Sequence, residues 1–196
     1  MKLNTNIKKM VGIAALAALV VVMQFITSVI PPIGGFSISL VLIPIVVGAA
    51  MYGPGAGAFL GATFGVVVTI NCMTGADVGG SMVFHANPML CVAVVLGKGI
   101  LAGLVSGLVY KALKRKNAYV AMLVAAILCP VVNTGVFVAC MFAFFIDVLA
   151  QWAAGASLVG YVLTGLVLAN FVPELLINVV FTPVSHRLLR EVQRKQ

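Results

Sequence analysis

The sequence predicts an all-α integral membrane protein, a bundle of six transmembrane helices with the N and C termini in the cytoplasm. Hydrophobic residues make up 63% of the 196 residues, charged residues 8%, and the mean hydropathy is +1.21. A soluble domain carries about 25% charged residues. The apolar runs reach the roughly 20 residues that a helix needs to cross a bilayer. They are continuous, whereas the strands of a membrane barrel alternate apolar and polar residues.

Turns and polar segments divide the chain into six predicted spans within a single membrane domain, residues 1–196. The first span follows a basic tail and ends at a Pro-Pro pair (31–32). Because its apolar run is long for a signal peptide and no clear cleavage site follows, we expect this helix to be retained. A polar connection, Asn71 to Pro88, precedes the fourth span. The predicted spans cover approximately residues 10–30, 37–51, 56–70, 89–113, 119–145 and 158–183.

The basic residues predict the orientation of the bundle. With the N-terminus inside, eleven of the 12 Lys and Arg residues fall in the two tails and in the connection between the fourth and fifth spans. The three opposite connections contain none. Because basic residues are enriched on the cytoplasmic side of membrane proteins, both termini are predicted to be cytoplasmic. The net charge of +8 therefore indicates orientation in a membrane, and no nucleic-acid partner is predicted.

Several kinds of chemistry lack a signal in the sequence. There is no Walker-type phosphate loop, so the chain is not expected to hydrolyse ATP itself. The four cysteines form no C-x-x-C pair, and we predict neither a metal site nor a cofactor. Cys72 and Cys91 are predicted near one membrane face, where buried free cysteines are favoured over a disulfide. The two histidines, His85 and His186, are predicted on opposite faces of the membrane. The sequence therefore does not predict an enzyme.

Glycines recur every four residues in the third and fourth predicted spans. Such spacing places them on one face of a helix and lets two backbones approach closely. We expect tight helix packing at two sets of positions, Gly57, Gly61 and Gly65 in one span and Gly99, Gly103 and Gly107 in the next.

Polar groups inside the predicted spans are the first candidates for a binding site, because each is costly in a membrane. Lys98 lies about 15 Å into the fourth span. Asn133 and Thr134 fall near the middle of the fifth span. Asn170, Glu174 and Asn178 are spaced four apart and so share one face of the sixth. An ion pair between Lys98 and Glu174 that only fixes helix packing is an equally open interpretation.

The outer connections supply a second group of candidates. His85 and Asn87 precede the fourth span, and Trp152 precedes the sixth. By the predicted topology they lie at the same face, where a glycine-containing loop is suited to cover a small-molecule pocket. The alternatives are a solvated loop position for His85 and an interfacial anchor for Trp152.

Two short motifs carry a resemblance to a known family. The first span contains Ala14 and Ala18 in an A-x-x-x-A pattern, and residues 52–57 form a Gly-Pro turn. With the chain length and the six spans, these motifs resemble the substrate-binding S components of energy-coupling factor (ECF) vitamin transporters of prokaryotes. The resemblance implies high-affinity capture of a micronutrient at the plasma membrane. It also implies that Ala14 and Ala18 dock onto a membrane coupling subunit that is joined to two ATPase subunits.

The resemblance narrows the substrate only in part. Several family members bind flavin through an acidic residue after the first connection, where this chain has Phe36-Ser37-Ile38-Ser39, so riboflavin is not expected. Lys98 and His85 are suited to a carboxylate, which favours pantothenate or another small acidic vitamin. The alternative function is a small ion-coupled secondary transporter that works without ATPases. It would use Lys98, Glu174 and Asp147, although the spans show no clear duplicated halves.

Overall fold

A computed structural model describes residues 5–29 and 40–194, and within these ranges the chain forms helices and no strand. The all-α bundle predicted from the sequence is confirmed. The Pro-Pro turn at 31–32 and the segment Phe36-Ser37-Ile38-Ser39 lie outside the described residues. The helices are α1 (Thr5–Val29), α2 (Leu42–Tyr52), α3 (Pro54–Thr74), α4 (Val78–Ala86), α5 (Pro88–Leu113), α6 (Ala118–Phe144), α7 (Ile146–Ala153), α8 (Leu158–Tyr161) and α9 (Val172–Arg194), with a π-helical segment (Val162–Phe171) joining the last two.

Five helical stretches of the described residues are long and apolar enough to cross a membrane. These are α1, α3, α5, α6 and the continuous stretch from α8 to α9. The second predicted span begins at Ser37, outside the described residues. Its helix, α2, has 11 residues and is about 16 Å long, roughly half the thickness of the hydrocarbon core.

The polar connection expected between the third and fourth spans is largely helical. α3 continues to Thr74, and α4 follows after a turn at Gly75, whose φ of 77° favours glycine. The Asp77 carboxylate accepts a hydrogen bond from the Gly80 amide at 3.0 Å and so begins α4. Asn87 begins α5 in the same way, accepting from Leu90 N at 3.1 Å. The polar residues that suggested a loop are therefore helix caps.

The two sets of glycines, at which the sequence predicts tight helix packing, pack against each other in the structure. α3 makes its most extensive contacts with α5. A Cβ atom added to Gly61 would overlap the carbonyl of Gly99, and one added to Gly57 would overlap that of Gly103. The reverse additions would also overlap. The backbones of α3 and α5 are thus in direct contact, and any side chain at these positions would separate them.

The remaining long helices surround this pair. α6 packs on the other side of α5, α1 packs on α3 and α2, and α9 packs on α6 and α2. The last stretch is irregular because its middle is π-helical. The π segment ends at Phe171, two residues before Pro173, which has no N–H to donate. Such π segments often occur at functional sites, and this one contains Asn170.

Candidate functional site

A cavity of about 70 Å³ lies inside one end of the bundle. It is enclosed by the C-terminal parts of α1 and α3, the first turns of α5, the second half of α6 and the start of α9, with α4 forming one wall. The apolar lining includes Phe64, Phe137 and four valines. The polar and charged lining consists of Gln24, Ser28, Asn71, Asp77, Lys98, Asn133, Thr134, Asn170 and Glu174.

Five of the residues predicted to bind a substrate line this cavity together. They come from three separate helical stretches: Lys98 from α5, Asn133 and Thr134 from α6, and Asn170 and Glu174 from the last stretch. The structure thus brings distant polar residues of an apolar sequence to one place. Their roles in binding stay predictions, as does the ion pair between Lys98 and Glu174.

Lys98 faces an aromatic ring across the cavity. Its Nζ atom lies 4.6 Å from the centroid of the Phe137 ring, a distance at which the negative face of the ring attracts a cation. Phe137 in turn stacks on Trp152, with ring centroids 6.5 Å apart and planes inclined by 27°. The Trp152 indole N–H donates to the Met82 sulfur at 3.2 Å. A row of contacts therefore connects the cavity to α7 and α4, and it runs through Lys98, Phe137, Trp152 and Met82.

Three buried oxygen atoms in the lining have no hydrogen-bond partner within the described part of the chain. They are Asn133 Oδ1, Thr134 Oγ1 and Asn170 Oδ1. Asn133 is 4% exposed and Thr134 is 7% exposed. An unsatisfied buried polar group costs about 1–3 kcal/mol. A molecule that donates hydrogen bonds here would recover that energy, so the lining is suited to a polar ligand.

Three other predicted residues lie outside the cavity lining. His85 is an exposed residue of α4 whose Nδ1 lies 2.8 Å from the carbonyl oxygen of Ser81. Asn87 is exposed and caps α5. Trp152 lies one layer behind Phe137. Their predicted contact with a substrate remains untested.

The sequence reasoning missed several polar residues of the cavity. Gln24 and Asn71, both about 95% buried, line it together with Ser28. Gln24 stands within the first apolar span, so the rule that singled out Lys98 applied to it as well. Asn71 was assigned to a connection because the third span was predicted to end at Ile70, whereas α3 continues to Thr74.

Ala14 and Ala18 lie on the exposed face of α1. The opposite face packs into the protein, where Val20 is buried and Gly12 lies against the Tyr52 ring. The two alanines, one turn apart, leave a shallow surface that a partner helix can approach closely. Their docking role stays a prediction.

Comparison with known protein families gives a match. The family described as ECF transporter, substrate-specific component matches residues 8–185. No curated protein matches the chain. The matched range includes every residue that lines the cavity and most of the bundle.

Proposed function

Because the chain belongs to the family of ECF transporter substrate-specific components, we propose that it captures a vitamin or related micronutrient in the cavity described above. Members of this family are membrane subunits of importers, not enzymes. The observation that carries the proposal is a polar cavity inside an apolar bundle, with three buried oxygens that have no hydrogen-bond partner among the described residues. In a membrane interior such groups are retained at a cost that a bound polar ligand offsets.

The size of the cavity implies that one of its walls moves when the ligand binds. A volume of 70 Å³ is well below the roughly 300–1,000 Å³ of pockets that bind drug-sized ligands, so a vitamin does not fit without a change of shape. The wall best suited to move is α4, which has nine residues and contacts only α3, α5 and α7 among the described elements. We therefore propose that outward movement of α4 admits the ligand.

The charges of the lining bear on the chemical class of the ligand. We propose that Lys98 binds a carboxylate, which keeps pantothenate or another small acidic vitamin as the finer proposal. His85, the second residue in that argument, lies outside the cavity lining, so the proposal depends on Lys98. Asp77 and Glu174 also line the cavity. An acidic ligand that fits must therefore also carry hydroxyl or amide donors that face these carboxylates.

Transport requires partners in this proposal. A membrane coupling subunit and two ATPase subunits supply the energy, and Ala14 and Ala18 form the contact with the coupling subunit. Exposed basic residues gather at the end of the bundle away from the cavity, at Lys8, Lys9, Lys111 and Arg190. By the positive-inside rule this end faces the cytoplasm, which puts both termini inside and the cavity at the outer face.

Native mass spectrometry tests the proposal most directly. The full chain is expressed in rich medium, purified in detergent and examined for a co-purified small molecule. We expect one compound of vitamin size, which is lost in Asn133→Leu and in Asn170→Leu. Asn178→Leu is the matched control, because Asn178 is a buried asparagine of α9 outside the cavity lining. A protein that carries no compound and binds none of a panel of vitamins would contradict the proposal.

A second experiment separates this function from the ion-coupled alternative. Uptake of the identified compound is measured in cells that contain the chain with or without the coupling and ATPase subunits. We expect uptake only with these subunits. Uptake that persists without them and stops when the ion gradient is dissipated would instead support the secondary transporter.

A further inference from the structure

Two cysteines from different helices meet in the wall of the cavity. Cys72 of α3 and Cys91 of α5 are each 1% exposed, both are free thiols, and both belong to the cavity lining. The two side chains lie within interaction distance of each other across the interface between α3 and α5. In the sequence these residues are 19 positions apart and match no thiol motif.

The packing of α3 on α5 fixes this proximity. Cys72 lies two turns beyond Gly65, and Cys91 lies two turns before Gly99, so each is on the face of its helix that carries the glycines. At Gly65 an added Cβ would lie 2.9 Å from the Cα of Leu96, and at Gly99 it would overlap the Gly61 carbonyl. Gly57 faces Gly103 and Gly61 faces Gly99, so in this register Cys72 and Cys91 lie within one helical turn of facing each other. A disulfide requires Cα atoms roughly 5.5–6 Å apart.

We propose that Cys72 and Cys91 form a reversible disulfide when a peroxide enters the cavity. The thiolate of one cysteine attacks a peroxide oxygen, the O–O bond breaks, and a sulfenic acid and water form. The second thiol then attacks the sulfenic sulfur, the S–O bond breaks, and a second water leaves as the disulfide forms. The two thiols together lose two electrons and two protons, and hydrogen peroxide is reduced to two waters.

The position of the pair gives the disulfide a defined consequence. Cys72 and Cys91 flank α4, so the bond closes a loop that contains the whole of α4. A crosslink restricts the conformations of the loop that it closes. Oxidation therefore holds α4 against the bundle, and a dithiol reductant releases it. The further effect that oxidation slows ligand exchange rests on the proposed function, whereas disulfide formation does not.

Intact-mass analysis with thiol labelling tests the disulfide without a ligand. The full chain is purified under reducing conditions, treated with hydrogen peroxide, quenched with catalase, denatured and alkylated. We expect that peroxide removes two alkylation sites per chain and that dithiothreitol restores them. Peptide mapping should join Cys72 to Cys91 and leave Cys129 and Cys140 alkylated. Hydrogen exchange of the α4 amides should slow in the oxidised protein.

Alanine variants show whether the disulfide forms specifically between Cys72 and Cys91, with Cys129 and Cys140 as the control pair. Cys72→Ala and Cys91→Ala should each abolish the reversible loss of alkylation. The double variant Cys129→Ala, Cys140→Ala should keep it, because neither residue lines the cavity. The proposal is overturned if all four thiols stay alkylatable after peroxide, if another pair is joined, or if Cys72 and Cys91 oxidise separately to acids that dithiothreitol does not reverse as a pair.

Discussion

At the scale of single residues, the cavity combines one ammonium, two carboxylates and several amides within an apolar interior. The ammonium of Lys98 is attracted by the ring of Phe137, whose centroid lies 4.6 Å from Lys98 Nζ. Such an interaction is worth about 0.5–2 kcal/mol, less than a charge-assisted hydrogen bond to a desolvated carboxylate provides. A bound carboxylate is therefore able to draw Lys98 away from the ring.

Replacement of Lys98 tests whether the ligand is anionic. We expect Lys98→Met to weaken binding of the co-purified compound at least tenfold, which corresponds to about 1.4 kcal/mol, because the carboxylate loses its cation. The dissociation constant is measured by calorimetry on ligand-depleted protein. Lys111→Met, an exposed lysine at the other end of α5, serves as the control. Unchanged affinity in Lys98→Met would argue against an acidic ligand.

The indole of Trp152 offers a second test at this scale. Trp152→Phe keeps an aromatic ring beside Phe137 but removes the hydrogen bond to the Met82 sulfur. Because that bond joins α7 to α4, we expect the bound compound to dissociate several-fold faster. Met82→Leu should have the same effect through loss of the acceptor.

A double-mutant cycle tests whether Trp152 and Met82 act through their contact. If the two residues act through their contact, combining Trp152→Phe with Met82→Leu should add little to either single change. Additive effects on the dissociation rate would show that the hydrogen bond does not hold α4 in place.

At the scale of elements, the glycine-mediated contact between α3 and α5 provides the frame on which the cavity is built. Gly61→Ala should lower the melting temperature of the purified protein clearly, because its Cβ would overlap the backbone of Gly99, and overpacking costs about 1–3 kcal/mol. Gly97→Ala is the matched control, since a Cβ there meets no atom within 4 Å. The control should be neutral or slightly stabilising, because alanine favours helix over glycine. Equal loss of stability in both variants would contradict direct backbone packing.

The elements also show what the sequence could predict. Long apolar runs and four-residue glycine spacing are visible in the local sequence, so the long helices and the tightly packed glycine faces could be predicted, whereas the pairing of α3 with α5 could not. α4 could not be predicted in this way, because it has only nine residues, contains two glycines and is flanked by polar residues, which together resemble a loop. Only the structure shows that the flanking Asp77 and Asn87 are helix caps. The regular spacing of Asn170, Glu174 and Asn178 predicted one shared face, yet Asn178 lies outside the cavity lining. Its amide donates to the Glu174 carbonyl at 2.8 Å instead.

The site itself depended on contacts between distant segments. The cost of placing a polar side chain inside a membrane led to the prediction of five site residues. All of them line one cavity: Lys98, Asn133, Thr134, Asn170 and Glu174. The proximity of Cys72 and Cys91, by contrast, follows from the antiparallel packing of two helices and has no local signal. The role of the residues between Val29 and Leu40 lies outside the described structure.

At the scale of the whole molecule, capture and transport use different surfaces in the proposed function. The cavity lies inside the bundle, at the end where α1 and α3 finish, whereas Ala14 and Ala18 lie on the exposed face of α1 nearer its start. A protein divided in this way can lose one activity and keep the other. Binding then depends on the polar lining, and uptake depends also on the surface of α1.

Enlarging the two alanines tests this division. We expect the double variant Ala14→Leu, Ala18→Leu to bind its compound with unchanged affinity but to lose most uptake in cells that contain the coupling and ATPase subunits. The leucine side chains would fill the shallow surface and keep a partner helix at a distance. Ala93→Leu adds the same bulk at an exposed alanine of α5 and should leave uptake intact. Loss of binding in the double variant would mean that α1 shapes the cavity, and full uptake would show that the partner docks elsewhere.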